Sequence, residues 1–490
     1  MLFNSYVFVL AFFPTTLALW YGLNRFSRFQ TAKVMLVIAS LFFYGYFMPS
    51  YLPIIIGSII VNYGFGRLLC HWQRGQGGKK LTLFFALACN LAVILYYKYW
   101  NFIAENINYF GKLNLTIRNI VLPLGISFFT FQQLSYVVDC YRGDAPDYRF
   151  LDYALFVCYF PQLIAGPIVT HDELVPQFEN LEARPFNYEY FSKGFHAFTL
   201  GMAKKVIIAD TFGNAVKWGY QSIDSLNSAT ALLVILAYTF QIYFDFSGYC
   251  DMATGIGYMM NIKLPRNFDS PYRALSITEF WKRWHMTLTR FFTKYVYIPL
   301  GGNRKGMVRT CLNVMIVYLC SGIWHGANWT FILWGVMHGA ACVLDRLTHK
   351  RTENWHPALR WFITFVFVNL TWVYFRASSI DEANRLIVRA VSFVPGEVNE
   401  ELLKCFYLPG FKYVADYFPV FAWKYYDNII STLTVVFFCF TLWASMNMKN
   451  TNERIDNFKP GVTNSIATVL LFTWAFTSLA SVSTFLYFNF

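Results

Sequence analysis

Charge is what this sequence has least of. Only 14% of its 490 residues are Asp, Glu, Lys or Arg, where a soluble globular protein carries about a quarter. An ordinary soluble domain is therefore excluded as the bulk of the chain. Low-complexity tracts and short-period repeats are missing too, which sets aside a disordered scaffold and a solenoid. The ten cysteines are scattered, several inside apolar runs (Cys89, Cys158, Cys320, Cys439). No two stand at metal-ligand spacing and no disulfide framework is visible, so neither a bound metal nor a resident cofactor is expected. Acidic residues are outnumbered, 27 against 40 basic, for a net charge of +13. In so apolar a chain this reads as an excess of Lys and Arg in cytoplasmic loops rather than as a nucleic-acid surface.

Apolar runs fill the space that charge leaves. Hydrophobic residues make up 56% of the chain and mean hydropathy is +0.38. A helix needs roughly 20 mostly apolar residues to span a bilayer. Candidate runs lie near 6–24, 32–49, 51–66, 80–98, 119–138, 151–168, 193–209, 230–247, 308–323, 328–345, 358–375, 429–446 and 463–488. Several are marginal. The expectation is an all-α polytopic membrane protein with about eleven transmembrane helices plus one or two re-entrant or interfacial pieces. No basic residue precedes the first run and no small-residue cleavage site follows it, so it reads as a retained helix. Arg25, Arg28 and Lys33 follow that run, and Arg67, Arg74, Lys79 and Lys80 follow the third. The positive-inside rule puts both loops in the cytoplasm and the amino terminus outside.

Two polar stretches interrupt this pattern. Residues 261–309 hold Lys263, Arg266, Arg273, Lys282, Arg283, Arg290, Lys294, Arg304, Lys305 and Arg309 against Asp269 and Glu279 alone. Such a block belongs on the cytoplasmic face, beside anionic head groups or a phosphorylated substrate. Residues 381–428 are mixed in sign. At the start of this stretch, Ser379 and Glu382 form a capping pair before an amphipathic helix to about Val391. Inside the basic block, Ser276 and Glu279 make another capping pair. Trp281, Trp284, His285, Leu288 and Phe292 then recur at helical spacing, which predicts one helix at the membrane interface with His285 on its buried side. Pro123 and Gly125 interrupt the 119–138 run, and Pro161, Gly166 and Pro167 the 151–168 run. Such breaks point to a cavity or to packing kinks, since non-helical backbone at membrane depth must be surrounded by protein or water.

The sharpest chemical signal is Ser321-Gly322-Ile323-Trp324-His325-Gly326-Ala327-Asn328, between two strongly apolar segments. An ionisable side chain at that depth costs a few kcal/mol unless a cavity or a partner receives it. Gly322, Gly326 and Ala327 leave room for a ligand or a neighbouring backbone beside His325. His338 follows on a different side of a helical path, where an interhelical hydrogen bond explains it better. Gln241 and Asp245 share one face, four residues apart; with Asp251 they read either as a polar helix end or as the lining of a cavity. Leu300-Gly301-Gly302-Asn303-Arg304-Lys305-Gly306 is a turn whose N–H groups could cradle phosphate, or a plain connection.

Several stretches are familiar in this order: Met1-Leu2-Phe3-Asn4-Ser5-Tyr6; Leu122-Pro123-Leu124-Gly125-Ile126-Ser127-Phe128 with Ser135, Tyr136 and Asp139; Phe160-Pro161-Gln162-Leu163-Ile164-Ala165-Gly166-Pro167; Tyr243-Phe244-Asp245-Phe246-Ser247-Gly248-Tyr249; Glu279-Phe280-Trp281-Lys282-Arg283-Trp284-His285; and Gly322 to Asn328. Together they resemble the membrane-bound O-acyltransferase (MBOAT) family, and within it the AlgI-like branch of alginate O-acetylation proteins. The resemblance covers roughly residues 1–390 of a single membrane domain over 1–490, with additional C-terminal helices over 391–490. It implies a ring of tilted helices around a thinned centre, with a tunnel or paired funnels. It also implies two functional histidines, carried over to His325 and His285.

A neutral imidazole can take the proton from a hydroxyl as that oxygen attacks a thioester. The second histidine or a nearby amide could orient the first or polarise the carbonyl, with Asn328 a candidate donor. Asp245 is a further substrate-binding candidate. Arg283, Arg304 and Lys305 would meet the phosphates of cytoplasmic acetyl-CoA, the expected acyl donor. The branch implies a cell (plasma) membrane enzyme that passes acetyl groups across the bilayer for O-acetylation of a cell-surface polysaccharide. An extracytoplasmic acyl-accepting transferase would be its protein partner, membrane lipid its surroundings, and nucleic acid no part of its function. Transfer of D-alanine from a carrier protein to teichoic acid is the nearest alternative. A polysaccharide transporter without covalent chemistry is the other, although no inverted repeat shows in the hydropathy.

Overall fold

The computed structural model describes residues 1–72, 77–180, 185–406, 426–480 and 485–486. Among these residues the regular structure is helical throughout, with no strand. Five helices are long and apolar enough to cross a membrane: Pro49–His71, Gly77–Gly111, Ser228–Met259, Gly306–His325 and Pro357–Arg376. Phe29–Gly45, Ser431–Asn447 and Val462–Thr477 are shorter apolar helices. The chain is an all-α membrane protein with five clear spans and shorter helices around them. Arg74, residues 407–425 and most of the run after Thr477 lie outside the described residues.

The Ser228–Met259 helix forms the centre. Within its most apolar window 72% of residues are buried, against 17% in Gly77–Gly111 and 22% in Gly306–His325. The outer helices thus keep apolar faces for lipid, while this one meets protein all round. It packs along Tyr188–Ala203, where Gly194 faces Gly255 and Gly201 faces Gly248. A Cβ on Gly194 would sit 2.5 Å from the Gly255 carbonyl oxygen, and one on Gly201 2.6 Å from that of Gly248. Small residues on matching faces let two backbones approach closely where no hydrophobic force distinguishes helix from lipid.

Two of the expected runs are not spanning helices. The 119–138 run stays non-helical until Gly125, whose φ of +69° opens the Ile126–Arg142 helix. The 151–168 run yields only the short helices Phe150–Cys158 and Phe160–Leu163, followed by buried irregular backbone to Val169. The interruptions meet: a Cβ on Gly125 would lie 2.8 Å from the Leu163 carbonyl oxygen. Each break is therefore wrapped in protein, as a membrane interior requires.

The stretch beginning at Ser276 also departs from expectation. It is two short helices, Ile277–Arg283 and Met286–Phe292, separated by extended Trp284 and by His285 at φ 44°, ψ 52°. Trp281, Trp284 and Leu288 are buried in the bundle, not laid on the interface. Neither proline nor glycine marks this break. The cause is long-range: Asn267 accepts the Met286 N–H at 2.9 Å through its carbonyl, and Asp269 N–H donates to Arg283 O at 2.9 Å. These contacts hold the junction open against the helical pattern.

Candidate active site

His285 sits at this junction, fully buried, in a left-handed conformation. For a residue with a side chain that costs on the order of 1–3 kcal/mol, and it persists only where the surroundings over-determine it. Asn267 supplies much of that determination. Its Oδ1 lies 3.0 Å from His285 Nδ1 and accepts from Thr287 Oγ1 at 2.8 Å. Thr287 Oγ1 in turn accepts the Ile168 N–H at 3.0 Å, tying in the broken 151–168 run. An amide oxygen can only accept, so this pattern assigns the proton to His285 Nδ1 and leaves a lone pair on Nε2. The Phe246 ring closes one side, its centroid 4.8 Å from the imidazole.

His325 ends the Gly306–His325 helix at the tip of a hairpin, with Trp329–Thr352 returning after a three-residue connection. Gly322 and Gly335 let the arms touch: a Cβ on Gly335 would meet the Tyr318 carbonyl oxygen at 2.5 Å. The buried His325 ring packs against Trp324 at 4.8 Å, Phe375 at 5.0 Å and Trp334 at 5.2 Å. Trp324 is common to both histidines, its ring centroid 6.2 Å from that of His285. The structure therefore gathers His285 and His325 around one indole inside the protein. His338 lies beyond Trp334, its Nδ1 accepting from Trp281 Nε1 at 3.1 Å, an interhelical bond.

The other residues singled out in the sequence have different neighbours. Asp245, midway along the central helix, is ion-paired with Lys205 at 2.6 Å, and its second oxygen accepts the Leu486 N–H at 2.9 Å. Asp251 pairs with Lys204 at 2.6 Å. Asn328 caps the Trp329–Thr352 helix, accepting from Thr330 N–H at 3.0 Å and donating to Ser378 O at 2.8 Å. Arg283 is held by Glu279 at 3.0 Å and Asp269 at 3.1 Å. Arg304 and Lys305 are exposed in the glycine turn, where Asn313 donates to the Gly302 carbonyl at 2.9 Å. Among the described residues, no group of His, Cys, Asp and Glu has the makings of a metal site.

Two hollows approach this core. An apolar cleft of about 620 Å³ reaches Trp324 and Gly326 between the Gly77–Gly111 and Gly306–His325 helices. A smaller one of about 160 Å³, whose lining includes Thr170, Asp172, Glu173, Arg290 and Lys294, reaches Thr287. Its cations have partners already: Arg290 binds Glu173 and Lys294 binds Asp139. Sequence reasoning missed Asn267, which no periodicity announces. It also missed Lys98, whose signal was plain: a lone cation within an apolar run.

Two buried histidines, one at a helix junction and one at a helix end, thus share an indole inside an all-α membrane bundle. Residues 41–380 match MBOAT, the membrane-bound O-acyltransferase family, and the chain belongs to it; it is an acyltransferase. It is 42% identical over 417 residues to the peptidoglycan O-acetyltransferase of Helicobacter pylori, covering 79% of each chain. With the probable alginate O-acetylase AlgI of Pseudomonas putida it shares 38% identity over 412 residues, 82% of each. The teichoic acid D-alanyltransferase of Streptococcus thermophilus is more distant, 28% identical over 284 residues, 51% of this chain and 68% of that one.

Proposed function

We propose that this acyltransferase takes acetyl groups from cytoplasmic acetyl-CoA and passes them across the plasma membrane for O-acetylation of a cell-surface polysaccharide. A separate extracytoplasmic transferase delivers them to the sugar hydroxyl. The observation that carries this reading is the pairing of His285 and His325 around Trp324. Likeness along about four-fifths of the chain to enzymes named for O-acetylating peptidoglycan and alginate supports the choice of acyl group and acceptor class.

His325 acts as general base. It takes the acceptor hydroxyl proton as that oxygen attacks the thioester carbonyl carbon, the C–S bond breaks, and the thiolate leaves with the proton. His285, protonated on Nδ1 towards Asn267, offers Nε2 as an acceptor. It is thus suited to receive a hydroxyl hydrogen bond and not to polarise a carbonyl. Membranes from cells expressing the protein, given acetyl-labelled acetyl-CoA, should release labelled acetyl to the acceptor. Label arriving only from D-alanine would transfer the protein to teichoic acid chemistry. Movement of intact glycan with acetyl-CoA untouched would make it a transporter.

A further inference from the structure

The helix that carries His325 ends without a C-terminal glycine turn. Gly326 is extended, at φ −168° and ψ 156°, so the last carbonyls of the helix need other donors. They find them on two consecutive residues of a distant segment. Lys98 Nζ donates to Trp324 O at 2.6 Å and to His325 O at 3.1 Å, and Tyr99 OH donates to Ile323 O at 2.5 Å. The third ammonium proton goes to Ser127 Oγ at 3.3 Å. An ammonium has three donors and no acceptor, and here each has a partner.

Two further features fit this clamp to its place. The negative end of the helix dipole falls at these carbonyls, which favours a cation there. The ammonium also lies 5.9 Å from the centre of the Trp324 ring, a cation–π distance. Lys98 and Tyr99, which both reach the same helix end, lie in Leu95–Tyr99, a single π-helical turn, a local widening that often marks functional sites. A lysine in the apolar Gly77–Gly111 stretch carries a desolvation cost that packing alone does not require.

We propose that Lys98, with Tyr99, is a positioning residue for His325, fixing the height and tilt of the last helical turn and so the placement of the imidazole and of Trp324. The proposal rests on the reading of His325 as the base. Lys98 itself carries no proton in the reaction, since all its donors serve the scaffold.

The test is steady-state acetyl transfer by the full-length protein in proteoliposomes, with Lys98→Met, Lys98→Arg, Tyr99→Phe and His325→Ala compared at matched amounts of monodisperse protein. A misplacement of about 1 Å costs on the order of 10²-fold in rate. Lys98→Met should therefore lose kcat on that scale with KM for acetyl-CoA little changed, and Lys98→Arg, which restores the cation, should recover a large part. Tyr99→Phe removes one bond from a half-exposed position and should lower kcat several-fold without affecting assembly. That variant decides the matter if Lys98→Met fails to fold. Wild-type kcat in Tyr99→Phe or in folded Lys98→Met, beside an inactive His325→Ala, would overturn the clamp alone. A rise in KM with kcat intact would overturn it too, by making Lys98 a donor-binding residue. Full activity in His325→Ala would instead remove the base on which the proposal stands.

Discussion

Asn267 does more for the site than any residue the sequence advertised. It bonds His285 Nδ1, Thr287 Oγ1 and, through its own carbonyl, the Met286 N–H. Asn267→Ala should leave buried donors unsatisfied, at about 1–3 kcal/mol of stability, and should lower acetyl transfer towards that of His285→Ala. A thermal melt in detergent alongside a transfer assay checks both, and unchanged transfer would detach Asn267 from function. Asn267→Asp, which keeps the acceptor, should retain more activity than the alanine variant. His325 could be found in the sequence because a histidine among glycines in an apolar run is rare and costly. His285 could be found only as the end of a Trp-His pair. Its left-handed backbone is set by a residue 18 positions away, and no local pattern carries that information. Asp245 stands out in the sequence as a carboxylate beside Gln241 on one helix face, a pattern that does not distinguish a substrate ligand from the ion pair it makes with Lys205.

At the scale of elements, long apolar runs located the long helices well. The runs at 230–247, 308–323 and 358–375 all lie within observed helices. The run at 80–98 covers only part of its helix. The helix continues through a π turn to Gly111, with the Lys98 charge capping a neighbour. The 151–168 run failed differently: apolar composition cannot separate a lipid-facing span from backbone buried in protein, and only contacts such as Ile168 N–H to Thr287 reveal which is present. The His325 hairpin yields its own prediction. Gly335→Ala forces a Cβ towards the Tyr318 carbonyl, where backbone must give way, and overpacking of this kind costs about 1–3 kcal/mol. The variant should melt earlier and lose transfer together. A melt equal to wild type would show the hairpin to be looser than its glycines imply.

For the whole molecule, the basic 261–309 block contains the His285 junction, so under the proposed function its side of the membrane is the side from which acetyl-CoA arrives. The positive-inside rule predicts that this block faces the cytoplasm. Lys305→Cys should therefore resist a membrane-impermeant thiol reagent in intact cells and react once cells are opened. Exposed Cys89 and Cys439 are first replaced to remove background. Labelling from outside would reverse the orientation and the donor side with it.

The most direct measurement is acetyl transfer by His325→Ala. Removing one imidazole from an apolar setting leaves the tryptophan and phenylalanine packing around it, so the protein should assemble and purify as wild type does. Transfer of labelled acetyl should fall by about 10²–10⁴-fold, the share general-base catalysis contributes. A well-folded His325→Ala protein that transfers acetyl at the wild-type rate would contradict the account.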